Sequence, residues 1–167
     1  MLLLVIRHAI AETREAHSAT SDDDSLRPLT AKGRRRMAAG AKGIRRLVPD
    51  LELLAASPLV RAQQTAAIIG KEYGGMHFVT ASPLDPESAP ASLLAWLRAQ
   101  REETIAVVGH EPHLGIIVTW LLTGVEESHV SFRKGGACLL ELPQRPRKGE
   151  ATLRWALTPS QLRRIGC

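Results

Sequence analysis

Leu2-Leu3-Leu4-Val5-Ile6-Arg7-His8-Ala9 is the stretch that decides the fold of this chain. An unbroken run of branched aliphatics reads as a strand buried on both faces, the pattern of a parallel strand covered by helices. Arg7 and His8 do not extend that core. They fall at the carboxyl end of the strand, where open α/β sheets build their ligand sites. A histidine there can attack phosphorus, and an arginine can hold a phosphoryl oxygen. Arg-His also marks ordinary strand ends, so its weight depends on what accompanies it.

Two further segments repeat the pattern. Leu51-Glu52-Leu53-Leu54-Ala55-Ala56 is followed by Ser57-Pro58-Leu59-Val60-Arg61-Ala62-Gln63-Gln64-Thr65. Serine suits an N-cap and proline the first helical position. Arg61 then falls in the first turn of a helix, beside free backbone N–H groups and the positive dipole end. Thr104-Ile105-Ala106-Val107-Val108-Gly109 runs into His110-Glu111-Pro112, again a buried strand, a histidine and a helix-opening proline. Two histidines and two arginines are thereby expected on one edge of one sheet.

The periodicity predicts strands at 2–7, 51–56, 77–80, 104–109, 137–142 and 151–157, and helices at 31–47, 59–73, 90–100, 112–122 and 159–165. Such alternation implies an α/β fold, a three-layer α/β/α sandwich around a mostly parallel sheet. Pro143 to Glu150 is too short for a crossover helix, so the last two strands should run antiparallel. The polar stretch Ala11 to Ser25, with Asp22-Asp23-Asp24, reads either as a mobile loop beside the site or as solvated linker.

The chain of 167 residues is expected to be one cytoplasmic domain, residues 1–167, without repeats. The Met1 to Ile6 run lacks a basic flank and is too short for a signal core or a membrane span. Cys138 and Cys167 suggest a buried thiol and a frayed end rather than a disulfide. His110 and His113 have no third ligand close in sequence, so no metal is expected. A net charge of +5 favours acidic partners. Much of it lies in Lys32, Arg34, Arg35, Arg36, Lys42, Arg45 and Arg46, on a helix that Thr30 would cap and whose apolar face carries Met37, Ala41, Ile44 and Val48. The charged face is either simply solvated or steers an acidic or phosphorylated partner. Few aromatics and no zinc-finger or RNP-like motif argue against nucleic acid.

These residues resemble the histidine phosphatase superfamily, which is phosphoglycerate mutase-like in fold, and within it the small SixA-type phosphohistidine phosphatases. The resemblance rests on Arg7-His8-Ala9, Arg27-Pro28-Leu29-Thr30 with Gly33, and the Ser57 to Thr65 segment. Gly109-His110 and Trp155-Ala156-Leu157-Thr158-Pro159 complete it, so it spans nearly the whole chain. Ala9 departs from it, because glycine is usual there; a small alanine should be tolerated.

The resemblance implies that His8 is the nucleophile and that the reaction passes through a phosphohistidine intermediate, without cofactor or metal. An unperturbed imidazole titrates near pH ~6.5, so His8 would be available at neutral pH. Arg7, Arg27 and Arg61 would hold the phosphate ion as planar donors, and His110 would donate a further hydrogen bond as imidazolium. Ester-cleaving relatives add a carboxylic acid after the third strand. Asp85 and Glu87 are the candidates here, though neither fits that pattern and Glu87 could equally cap the following helix. Neither is expected to be essential. With little room for roofing insertions, an open site suits a phosphohistidine-bearing protein, such as a member of a phosphorelay, with no nucleic acid or membrane involved. The alternatives are a phosphomonoesterase for a small metabolite and an inactive phosphate-binding module.

Overall fold

The computed structural model describes residues 1–167. Six strands form one sheet: β1 (Leu2–Arg7), β2 (Leu53–Ala56), β3 (Val79–Thr80), β4 (Thr104–Gly109), β5 (Ala137–Glu141) and β6 (Thr152–Leu157). Their spatial order is β3-β2-β4-β1-β5-β6. Strands β3, β2, β4 and β1 pair in parallel, whereas β5 runs antiparallel to both β1 and β6. The helices are α1 (Arg14–Ser18), α2 (Ala31–Leu47), α3 (Val60–Glu72), α4 (Pro90–Arg98), α5 (His113–Thr123) and α6 (Pro159–Ile165).

Strand alternation splits the core into two layers. Leu4, Ile6, Ala106 and Val108 pack with residues of α2, α3 and α6. Leu3, Val5, Ile105 and Val107 pack with residues of α4 and α5. Apolar surface buried on both faces is what an all-aliphatic strand requires. The three-layer α/β/α architecture expected from the sequence is therefore present. No helix is long and apolar enough to cross a membrane. Cys138 is buried, which pushes its thiol up to about 12.

Helix α2 explains the Arg-Pro-Leu-Thr-x-x-Gly segment. The Thr30 hydroxyl caps the helix by accepting from Gly33 N at 2.9 Å, and the Thr30 N–H donates to the Ile10 carbonyl at 3.0 Å. A Cβ at Gly33 would lie 2.1 Å from that carbonyl oxygen, so only glycine lets the helix close onto the turn after β1. Ala9 sits in that turn, and no non-glycine residue has positive φ. A Cβ at Ala9 therefore meets no backbone strain, and the departure from glycine is accommodated.

Three expectations shift. Ser57 and Pro58 do not open α3: Leu59 is the N-cap, without a side-chain cap, and Arg61 is the second helical residue. Pro112 does not open α5 as its first residue. It follows a cis peptide bond and is the N-cap of a helix that begins at His113. The 11–25 stretch is not bare linker. It holds α1, capped by Thr13, and a 3-10 turn at Asp24–Leu26, and Ala11 pairs with Leu29.

Candidate active site

Register builds the site. Arg7 pairs with Gly109 and Ala56 with Val108, so His8, Ser57 and His110 emerge together where the parallel strands end. The His8 and His110 rings lie 5.0 Å apart, centroid to centroid, tilted by 50°. His8 Nδ1 lies 2.7 Å from the Ala9 carbonyl oxygen and donates to it, which fixes the tautomer and leaves Nε2 with its lone pair. His110 Nε2 lies 2.8 Å from the fully buried Ser57 hydroxyl. Ser57, read from sequence as a cap, thus holds a histidine while also accepting from Leu59 N at 3.3 Å.

Both imidazoles are neutral. Burial above all, with Arg61, Arg7 and Lys134 nearby, pushes His8 down to about 3. Burial, then His8 and Arg61, does the same to His110. The imidazolium expected at His110 is not its state in the free site, because the surrounding cations and the loss of water both penalise the charged form.

The sequence-predicted arginines Arg7, Arg27 and Arg61 line the same open cleft as His8 and His110, which has a volume of about 730 Å³. Each donates Nη1 to a main-chain carbonyl. Arg7 reaches Phe132 O at 2.5 Å, Arg27 reaches Glu12 O at 2.8 Å and Arg61 reaches Asp24 O at 2.9 Å. Burial lowers the pKa of Arg7 and of Arg61, with Arg27 adding to the effect on Arg61. The rest of the Ser57 to Thr65 motif supports them. Thr65 accepts from Ala9 N at 3.0 Å, and Gln64 accepts from Leu29 N at 2.8 Å, pinning the turns that carry His8 and Arg27.

Three further residues join the site. Asp24 receives Arg27 Nε at 2.8 Å and lies 3.2 Å from Arg61 Nη2. Burial works against its carboxylate, yet Arg27, with Arg61 and Arg14, holds its pKa below the ordinary value. Only its position three residues before Arg27 could have distinguished it within an aspartate run that reads as solvated. Glu111 accepts from Phe132 N at 2.9 Å, so it and Arg7 grip opposite ends of the same residue. Burial raises its pKa, and its side chain also lines the cleft. Lys134 is the third; burial first, then Arg7, Arg27 and Arg61, lowers its pKa. Nothing local in sequence marks Lys134.

The two acid candidates separate. Glu87 is exposed and lines the cleft, whereas Asp85 does not line it and instead accepts from Glu87 N at 3.0 Å. Glu87 does not cap α4, whose N-cap is Ala89 without a side-chain bond. No three His, Cys, Asp or Glu side chains converge as metal ligands.

A family model described as histidine phosphatase superfamily (branch 1) matches residues 3–85. The chain is 33% identical over 139 residues to an uncharacterized protein of Picosynechococcus, covering 81% of this chain and 82% of that one. It is 28% identical over 173 residues to the phosphohistidine phosphatase SixA of Escherichia coli, covering 98% and 97% of the two chains. A solved structure of the protein histidine phosphatase SixA complexed with tungstate superimposes with a TM-score of 0.82 at 25% identity, over 97% of this chain and 99% of that one. Shared sequence, shared fold and a strand-end site built for an oxyanion agree: this chain belongs to the histidine phosphatase superfamily, and its activity is that of a phosphatase.

Proposed function

We propose that the protein removes phosphate from phosphohistidine on a protein partner, with His8 as nucleophile. The observation that carries this reading is the site's composition: two neutral histidines amid three arginines, in an open cleft, with two of its carboxylates, Asp24 and Glu111, already engaged. Asp24 is held by Arg27 and Arg61, and Glu111 by the Phe132 N–H. The likeness to the phosphohistidine phosphatase SixA, in sequence and to a SixA structure that holds tungstate, supports it.

The chemistry follows from these groups. His8 Nε2 attacks phosphorus while Nδ1 keeps its proton on the Ala9 carbonyl. The N–P bond to the partner's ring breaks, and that ring, protonated on its other nitrogen, departs as neutral imidazole. Arg7, Arg27 and Arg61 stabilise the transferring phosphoryl oxygens, and positioning with charge stabilisation is most of what phosphoryl transfer requires. His110 is neutral before substrate arrives. A bound phosphate dianion favours its charged form and so draws a second N–H donor into the site. Water then attacks phosphorus, the N–P electron pair returns to His8 Nε2, and inorganic phosphate leaves. Neither step requires a carboxylic acid, because a ring that keeps its second proton is already a good leaving group.

A second reading, a phosphomonoesterase for a small metabolite, is favoured by Glu111, a cleft carboxyl whose pKa burial raises, and by Glu87. Alkoxide leaving groups need such a donor, worth typically ~10²–10⁴-fold. The deciding experiment compares phosphohistidine in a protein with glycerol and sugar phosphates, and traps the phosphoenzyme. Fast turnover of the former, with acid-labile and alkali-stable label on His8, is expected. Faster turnover of alkyl esters, lost selectively in Glu111→Gln or Glu87→Gln, overturns the first reading in favour of the second.

A further inference from the structure

Beside the catalytic cleft lies a second, smaller concavity that the chemistry above does not use. Its floor is Ala9, Met37 and Pro159, and its rim carries Arg36 from α2, Arg163 from α6 and Lys134 from the loop before β5. Lys134 borders both this notch and the cleft, and the notch begins one residue after the nucleophile. No acidic residue lines it, and none of the three cations has a carboxylate within ion-pair distance. Nor is Arg36 tied down by other contacts, as three arginines of the same helix are. Arg34 donates to Gln64 at 2.9 Å, Arg45 stacks 5.8 Å from the Tyr73 ring and Arg46 binds the carbonyls of Ile165 and Cys167, whereas Arg36 makes no such contact.

Three unneutralised cations around one depression form an anion site, and size limits the anion. The notch holds about 60 Å³, room for about two waters at ~30 Å³ each. Metabolite pockets run to roughly 300–1,000 Å³. We propose that this notch is a specificity subsite that takes one aspartate or glutamate side chain of the phosphorylated partner protein, close to its phosphohistidine. The proposal rests on the phosphohistidine reading above and says which phosphohistidine proteins the enzyme prefers. Lys134 ties the subsite to the cleft, so an acidic group in the notch also relieves the crowding of positive charge around the site.

The test uses the full chain and two synthetic phosphohistidine peptides, identical except that the residues flanking the phosphohistidine are glutamate in one and glutamine in the other. Phosphoramidate, which is too small to reach the notch, serves as the control substrate. The wild type should show kcat/KM about tenfold higher for the acidic peptide, carried by KM, as one charge-assisted contact is worth roughly that much. Arg36→Glu with Arg163→Glu should erase or invert the preference while leaving phosphoramidate turnover unchanged. Arg36→Gln with Arg163→Gln should fall between. Equal use of both peptides by the wild type, or a preference that survives charge reversal, overturns the subsite alone. An equal loss on phosphoramidate also overturns it, because the arginines would then serve the fold or the chemistry. Failure of the wild type to cleave either peptide while it cleaves alkyl phosphates overturns the phosphohistidine reading and the subsite with it.

Discussion

Lowering the pH from 7 to 5 should destabilise this protein through its two site histidines. Both are held at about 3 in the folded state, largely by burial. In the unfolded chain they titrate near ~6.5, so between those values the unfolded state binds more protons. Stability is therefore present in full above the unfolded value and falls as the pH drops through it. Because pH 5 stays well above the folded value, the loss is governed by the unfolded one and comes to about 2 kcal/mol per histidine, or ~4 kcal/mol for the pair. For a chain of this size that is a drop of roughly 8–16 °C in Tm. His113, whose pKa burial also lowers, acts in the same direction. Glu111, raised by burial, opposes it, and Asp24, lowered, loses its contribution only at more acid pH. The assay is thermal unfolding by circular dichroism in phosphate-free buffers of constant ionic strength. His8→Asn and His110→Asn should each flatten the dependence, and the double variant should leave only the residue due to His113 and Glu111. An unchanged wild-type Tm between pH 7 and pH 5, or an undiminished fall in the double variant, would refute the electrostatic account of the site.

The remaining predictions concern turnover. His8→Ala should abolish it with the fold intact, checked by circular dichroism and phosphoenzyme trapping; label on a serine or cysteine would contradict the scheme. Arg61→Ala should lower kcat by ~10²–10³-fold, as loss of a preorganised donor does, and Arg61→Lys should recover little, because an ammonium lacks the planar fork. Asp24→Asn should lower kcat about 10- to 100-fold through loss of charge-assisted bonds to Arg27 and Arg61; a rise in kcat would mean that Asp24 competes with substrate instead. Activity should survive exhaustive chelation, and loss with EDTA reversed by a divalent ion would require a different mechanism.

Much of this was legible in sequence because the informative signals are local. The bounds of β1, β4, α2 and α6 coincide with those read from periodicity, since each is a long or well-capped run. Helix α1 escaped because five residues, four of them polar, held by a Thr13 cap carry no apolar period. Ser57 illustrates a second kind of failure. Ser-Pro before a helix is a sound capping signal, but the hydroxyl accepts only from the Leu59 N–H, at 3.3 Å and before the helix starts, while its shorter bond, at 2.8 Å, goes to His110. Lys134 illustrates a third. Its place in the site depends on the 132–135 loop docking at the end of β1, where Gly135 N donates to the carbonyls of Arg7 and His8. Pairings across more than a hundred residues leave no periodic trace.

That docking explains how three arginines can share so small a space. Arg7, Arg27 and Arg61 each direct one prong of the guanidinium to a main-chain carbonyl, Arg7 in the loop before β5 and the other two in the 11–25 stretch, and the Asp24 carboxylate pairs with Arg27 and Arg61. Carbonyl dipoles and one carboxylate offset the mutual repulsion before any substrate is bound. The guanidiniums are thus held in place before substrate arrives, with little reorganisation left for the moment of reaction, which is the condition under which such donors are most effective. The Ala11 to Ser25 stretch is consequently part of the catalytic apparatus. It supplies Glu12 O to Arg27, and Asp24 O with its carboxylate to Arg61. Loosening that segment should therefore degrade phosphate binding even where no residue that touches phosphate is changed.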